Sequence, residues 1–304
     1  MVSTAEYSLK VYFLKADDYL SAFFMSKYFT LKKGRLMTIN VSQLFYYPVK
    51  SLPGINAQNM KVNSWGPHHD RRLMLVDGEG RMITQRQCRL MALIKVRDLG
   101  DSLQLEFRGL SISIAWPNFN KEVNRKIVSV WNDEIEAQII PGSINTWLSD
   151  VLQRPVQLVY MSENTHRQVD LKYAPEVVRT SFSDGFPFLL ISMASIAFLQ
   201  KKLPFDLDVR RFRPNIVVDG CEAFAEDSWS QIRIGEIEFQ LVKPCARCVM
   251  PSINMETAQI QKEVMQVMND HRKREGDVFM GKNMVHTGEG ELQLGQIIEV
   301  VKTS

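Results

Sequence analysis

Cysteine is scarce, with 4 residues in a chain of 304. That count excludes the disulfide-dense scaffold of a small secreted domain and points to a reducing compartment. Neither charge sign is in excess: 37 Lys plus Arg face 34 Asp plus Glu, a formal net charge of +3. No global field is available to hold nucleic acid, so any anion site has to be built locally. Long uncharged apolar runs are also missing. Between Val11 and Leu31 the chain is apolar-rich, but Lys15, Asp17, Asp18 and Lys27 interrupt it. A membrane-spanning helix needs about 20 nearly uncharged residues. Phe186–Gln200 is uncharged but short, and it fits a buried strand or turn leading into a helix. The N-terminal stretch lacks the basic region, clean apolar core and cleavage site of a secretory signal. These absences predict a soluble cytoplasmic protein with no membrane span and no nucleic-acid partner. Internal repeats and low-complexity tracts are absent as well. At 45% hydrophobic and 23% charged residues, the composition is that of an ordinary globular chain, with room for one or two domains of roughly 150 residues.

Residues 1–36 differ in texture from the rest: rich in Tyr, Phe and Lys, they close on Lys32-Lys33-Gly34-Arg35 and read as a loosely attached N-terminal extension or as residues upstream of the functional start. A strand-like segment begins at Met37. Strands are expected at Ile39–Tyr47, Leu73–Val76, Arg81–Thr84, Leu103–Phe107, Ile112–Trp116, Ile127–Val130 and Gln157–Tyr160, with Asp77-Gly78-Glu79-Gly80 as a hairpin turn. Ser143 is placed to cap a helix through Trp147 and Leu152, and Ser192 one ending near Lys201-Lys202. Strand character returns at Ile216–Val218, Ile232–Ile234 and Ile237–Val242. Thr257–Arg274 reads as a helix with Val264, Val267 and Met268 on its apolar face. Many short strands, few helices and no βαβ alternation predict a β-rich α+β fold.

Two groups of residues carry chemistry. Cys245-Ala246-Arg247-Cys248 follows a strand, with Arg247 and Lys243 placed to favour thiolate. Such a pair can ligate a soft metal, attack an electrophile, exchange disulfides, or simply fill a core. A zinc half-site would need two more ligands, and Cys88, Cys221, His68, His69, His166, His271 and His286 are scattered without a second paired spacing. A thioredoxin-type pair would open a helix, whereas Val249-Met250-Pro251 reads as extended. The second group is basic: Tyr47-Pro48-Val49-Lys50-Ser51, Asp70-Arg71-Arg72, Thr84-Gln85-Arg86-Gln87 and Arg213-Pro214-Asn215, all beside strand ends. A polyanion wants N–H donors and Arg forks held on rigid elements. Residue types and spacing alone reach as far as a β-rich anion site with a reactive cysteine.

The same segments resemble a known family. Tyr47–Ser51, Asp70-Arg71 and Ile83–Gln87 are similar to the N-terminal β-barrel of MOSC proteins, named for the C-terminal domain of molybdenum cofactor sulfurase. Phe182–Pro187, Phe212–Val217, Glu226–Trp229, Cys245–Cys248, Gly281–Asn283 and Gly288–Gly290 resemble the MOSC domain itself, of the bacterial YcbX and mitochondrial amidoxime reducing component type. The resemblance covers about residues 38–301. It implies a barrel domain over 37–160, a MOSC domain over 161–304, and a molybdenum enzyme with a detoxifying role that reduces hydroxylamines, amidoximes and N-hydroxylated base analogues by oxygen-atom abstraction. It further implies that Cys248 ligates molybdenum, that Lys50, Ser51, Arg71, Arg213, Asn215 and Arg247 hold the pterin (molybdopterin) and its phosphate, and that the Asp184-Gly185 turn contacts it. Ala246 stands where the family often has a hydroxyl residue. No cysteine run follows the last MOSC strand, which implies no iron–sulfur cluster in this chain and electrons from a separate electron-transfer protein. Residues 1–36 are too charged for the membrane anchor of the mitochondrial relatives. A cofactor or persulfide carrier without turnover is the alternative the motifs allow.

Overall fold

The computed structural model describes residues 29–32, 35–116, 124–175 and 177–304. Strand makes up 43% and helix 17%, about twice the strand share of an average soluble domain, so the fold is α+β and β-rich. Of the expected extension over 1–36, residues 1–28 and 33–34 lie outside the described residues. Phe29–Lys32 and Arg35–Thr38 pair as an antiparallel hairpin.

In chain order, the strands of the two larger sheets are β1 (Asn40–Tyr46), β2 (Ile55–Ala57), β3 (Leu73–Val76), β4 (Arg125–Val130), β5 (Asp133–Ile139), β6 (Gln157–Tyr160), β7 (Phe188–Ser192), β8 (Ile216–Asp219), β9 (Trp229–Ile234), β10 (Ile237–Ala246), β11 (Asp277–Thr287) and β12 (Ile298–Thr303). Among the described residues the α-helices are α1 (Ile144–Leu152), α2 (Met193–Gln200) and α3 (Lys262–Arg272). The larger sheet runs β12-β9-β10-β11-β7-β8-β1-β2 and the smaller β4-β5-β6-β3. Only β7–β8 is parallel in these two orders, and α2 supplies the crossover that a parallel pair requires. Ser192 caps α2 as expected, its Oγ accepting from the Ser195 amide.

Strand periodicity explains the two-sided burial of the larger sheet. Leu190, Ile216 and Val218 join Ile232 and Phe239 on one face, while Leu189, Ile191 and Val217 join Phe212, Val264 and Met268 on the other. Strand β1 lies far from β8 in sequence yet pairs with it, Leu44 opposite Ile216. The first strong strand thus carries Tyr47–Ser51 to the edge of the C-terminal sheet.

Three local expectations need correction. Arg81–Thr84 is not a strand: Arg81 and Met82 make isolated bridges to Ser129 and Val76. The turn before it forms, with Asp77 Oδ1 accepting from the Glu79 and Arg81 amides, but Thr84 then bonds Gln87 Oε1 through its amide and hydroxyl and curls the chain away. Ser143 precedes α1 but has helical backbone and no side-chain cap. Asn145 anchors that helix instead, joining Ile140 O and Leu158 N. Val249-Met250-Pro251 does not run extended: Val249 is helical and Met250–Ser252 forms a 3-10 turn, for which Pro251 supplies the fixed φ.

The β10–β11 ladder shifts register between Pro244 and Ala246. Opposite the shift, Gly281 has φ +75°, and a Cβ there would sit 2.6 Å from Leu190 O. Such an irregularity re-aims a strand end, and this strand end carries the two cysteines.

Candidate functional site

All the residues expected at the site line one cavity of about 290 Å³. Lys50 and Ser51 leave β1, Arg71 precedes β3, Asp184 and Gly185 precede β7, Arg213 and Asn215 precede β8, and Ala246, Arg247 and Cys248 leave β10. Five segments of chain therefore converge. Lys50, Ser51 and Asn215 are buried at its floor, whereas Asp184, Ala246 and Cys248 are exposed.

The backbone of this floor is unusual. Ser51 has φ +64°, Arg71 +47° and Arg213 +58°. Left-handed backbone at a residue with a Cβ costs about 1–2 kcal/mol, and such costs gather where geometry is used. The surrounding bonds enforce it. The Lys50 amide donates to Leu73 O (2.7 Å), the Arg71 amide to Tyr47 O (2.7 Å) and the Arg213 amide to Arg210 O (3.0 Å). Both guanidinium groups lie over the buried Tyr47 ring, Arg71 at 4.4 Å and Arg213 at 4.2 Å from its centroid.

Each charge has a defined role. Lys50 Nζ donates to Asp184 Oδ1 (2.5 Å) and Phe182 O (2.7 Å). Burial pushes the Lys50 pKa down, and Asp184 opposes that shift. Desolvation by the surrounding cavity wall would raise Asp184 although its side chain reaches solvent, but the charge and hydrogen bond of Lys50, then Arg71, hold it well below the usual carboxylate range. Arg71 Nη1 donates to Asp70 Oδ2 (2.6 Å) and Asn215 Oδ1 (3.2 Å). Asp70 is buried, and burial raises its pKa against the pull of Arg71. Burial, then the nearby Arg71 charge, push Arg213 down to about 10.

Two of the expected binding groups also brace the site internally. Asn215 Nδ2 donates to Phe45 O and Asp70 Oδ1, while its Oδ1 accepts from Leu189 N and Arg71. It fixes Arg71 and leaves no amide hydrogen free. Arg247 donates from Nε and Nη2 to Met280 O and from Nη1 to Phe212 O, so it pins the cysteine loop. Arg167, which sequence reading did not single out, does the same for the Asp184 loop through Ser181 O and Ser183 O.

Arg211 was missed too. It is 7% exposed and lines the cavity, yet its Nε and Nη1 have no hydrogen-bond partner among the described residues, and neither does Arg213 Nη2. Buried polar groups are almost always bonded, so three orphaned guanidinium nitrogens in one cavity call for an anion. The sequence signal was Arg211-Phe212-Arg213, whose alternation reads as a surface charge beside a site residue.

The two cysteines differ. Cys248 is exposed and Cys245 is half-buried, packed beside the cluster of Ile191, Phe212 and Met280. Burial raises the Cys245 thiol above its ordinary value, with Arg247 opposing. Both cysteines line the cavity, and Cys248 is the more exposed of the two. Among the described residues no three His, Cys, Asp or Glu side chains are grouped to hold a metal, which removes the basis for a zinc site there. An exposed thiol beside orphaned cationic donors is a donor set that fits an anionic metal cofactor bound through one protein sulfur.

Residues 38–155 match the MOSC N-terminal beta barrel domain and residues 178–299 the MOSC domain. The chain belongs to the MOSC family, of the amidoxime-reducing component type. It is 30% identical to the Homo sapiens mitochondrial amidoxime-reducing component 1, over 77% of this chain and 72% of that protein. Identity to the Rattus norvegicus mitochondrial amidoxime reducing component 2 is 29%, over 76% and 72%. Against the Bos taurus molybdenum cofactor sulfurase it is 28% over 84% of this chain, which spans only 31% of that protein. Among the described residues of this MOSC protein, no helix is long and apolar enough to cross a membrane; the amidoxime-reducing relatives are mitochondrial by name, so a cytoplasmic location gains no support from them.

Proposed function

We propose that this MOSC protein binds the molybdenum cofactor in the cavity and reduces N-hydroxylated compounds, with Cys248 as the protein ligand to molybdenum. The observation that carries the reading is the meeting of one exposed thiol, Cys248, with the orphaned nitrogens of Arg211 and Arg213 in a single cavity. When bound, the cofactor supplies the two-electron chemistry that breaks an N–O bond. The net change takes N–OH, two electrons and two protons to N–H and water. The electrons come from a separate electron-transfer protein.

The chain's own groups provide a held geometry. Arg211 and Arg213 donate to the cofactor's anionic end, and Arg71, locked by Asp70 and Asn215, adds charge that cannot swing away. Burial lowers the Lys50 pKa, and the carboxylate of Asp184 opposes that shift. Ala246 offers no side-chain hydrogen bond next to the ligand. Such preorganised positive charge lowers the cost of bringing the anion out of water.

The likeness to molybdenum cofactor sulfurase favours a second reading, in which the same cavity holds cofactor or a Cys248 persulfide without turnover. Protein made in a host competent for cofactor synthesis decides between them. Molybdenum near one per chain, with anaerobic reduction of a hydroxylaminopurine by reduced viologen, supports the reductase. Bound cofactor or labile sulfur without reduction supports the carrier, and a protein free of metal, pterin and labile sulfur refutes both.

A further inference from the structure

The cavity mouth holds a second built feature, apart from the residues assigned above to the cofactor. Trp131 sits in the two-residue loop joining β4 and β5, directly after the Val130–Asp133 pair. Its φ is +57°, a conformation that bulky residues rarely adopt; such loops favour Asn or Gly. The side chain is 45% exposed. It is absent from the core that takes its neighbours Val128 and Val130, so packing does not account for it. The indole is nevertheless fixed. Its Nε1 donates to Asp184 Oδ1 (3.2 Å), and the Arg86 guanidinium lies 4.5 Å from its ring centroid.

Arg86 is exposed at the same mouth and forms no ion pair among the described residues; its one hydrogen bond is a long 3.5 Å contact to Thr84 Oγ1. Among the described residues Asp184 is the only carboxylate lining the cavity, and Lys50 and Arg71 already neutralise it. Lys243 is the other rim cation, held over the Tyr173 ring at 5.0 Å. The mouth therefore combines a positioned aromatic face with cationic charge that no protein carboxylate answers.

We propose that Trp131 and Arg86 form the substrate-reading wall of this site, and that it selects flat aromatic N-hydroxylated compounds carrying a negative charge. The proposal rests on the reductase reading and names its substrate class. Trp131 stacks the ring, and Arg86 pairs with a carboxylate or phosphate on it, a charge-assisted contact stronger than a neutral one. Positively charged substrates are turned away by the same group.

The test compares para-carboxybenzamidoxime with benzamidoxime on protein of measured molybdenum content, together with calorimetric binding of each compound. Wild-type protein should have the lower KM and tighter binding for the carboxylate. Arg86→Gln should cut that preference about tenfold, Arg86→Lys should restore part of it, and the control Arg89→Gln, exposed and away from the cavity, should leave it unchanged. Trp131→Ala should raise KM for both compounds about fivefold, with Trp131→Phe close to wild type. Equal KM and equal affinity for the two compounds in wild type, or an unaltered preference in Arg86→Gln, overturns the proposal. If fully loaded protein reduces neither compound, the reductase reading falls, and the binding preference and its Arg86 dependence still decide the mouth.

Discussion

Replacing Arg211 with methionine should make the cofactor-free protein more stable. Two of the Arg211 nitrogens are buried without partners, and each such donor costs about 1–3 kcal/mol. The substitution gives up one bond, from Nη2 to Gln261 Oε1 at 2.5 Å, worth about 1.5–3 kcal/mol because the donor is charged. Methionine keeps an apolar stem near Phe205, over which the guanidinium now lies. The balance is a gain of about 1–3 kcal/mol, within the range measured when buried charges are replaced by apolar groups. At about 2–4 °C per kcal/mol for larger domains, the unfolding midpoint should rise by roughly 2–12 °C. Scanning calorimetry on protein from a host unable to make the cofactor measures this directly. In cofactor-loaded protein the order should reverse, because a ligand that binds only the native state stabilises whichever variant holds it better. Arg72→Met is the contrast: Arg72 donates to Met161 O and Glu163 with all three nitrogens, so its loss should lower the midpoint. A cofactor-free Arg211→Met protein that unfolds below wild type would refute the claim that Arg211 is held for a ligand.

Arg213→Ala should reduce molybdenum retained per folded chain far more than Arg72→Ala, read by metal analysis after gel filtration; equal retention would show the anion cradle is misplaced. Gly281→Ala should destabilise by about 2–5 kcal/mol, combining left-handed strain with the forced contact at Leu190 O, and a urea midpoint within error of wild type would contradict it. His69 stacks on Trp116 with ring centroids 3.7 Å apart, and burial, then the neighbouring His68, push its pKa down to about 4. The unfolded chain therefore takes up a proton that the native state refuses, and stability is lost as pH falls from about 6.5 towards 4. His69→Phe should remove that share of acid sensitivity in urea midpoints compared at pH 7 and pH 5, and an identical pH dependence would argue against it.

What could be read from sequence follows physical range. Leu73–Val76 and Gln157–Tyr160 are strands end to end because contiguous apolar runs bounded by polar residues carry their own signal. Ser192 caps α2 through a bond three residues away, which is equally local. The pairing of β1 with β8 is not local, and neither is the convergence it produces. Lys50 and Asp184 are 134 residues apart in the chain; only the resemblance placed them in one site. The left-handed backbone at Ser51, Arg71 and Arg213 has no composition cue, since none is glycine or asparagine. Asn215 and Arg247 were placed at the cofactor by the resemblance, and the internal bonds their side chains make, to Phe45, Asp70, Met280 and Phe212, span distances that residue type does not show. Trp131 escaped notice because an aromatic residue beside a strand reads as core until its exposure is seen.

The central claim is that the Cys248 sulfur bonds molybdenum. X-ray absorption at the molybdenum edge, on wild type, Cys245→Ser and Cys248→Ser made in the same host, tests it most directly. The expected result is one sulfur fewer around the metal in Cys248→Ser, or loss of the metal altogether, with Cys245→Ser matching wild type. A Cys248→Ser protein with full molybdenum and an unchanged sulfur shell would contradict the account.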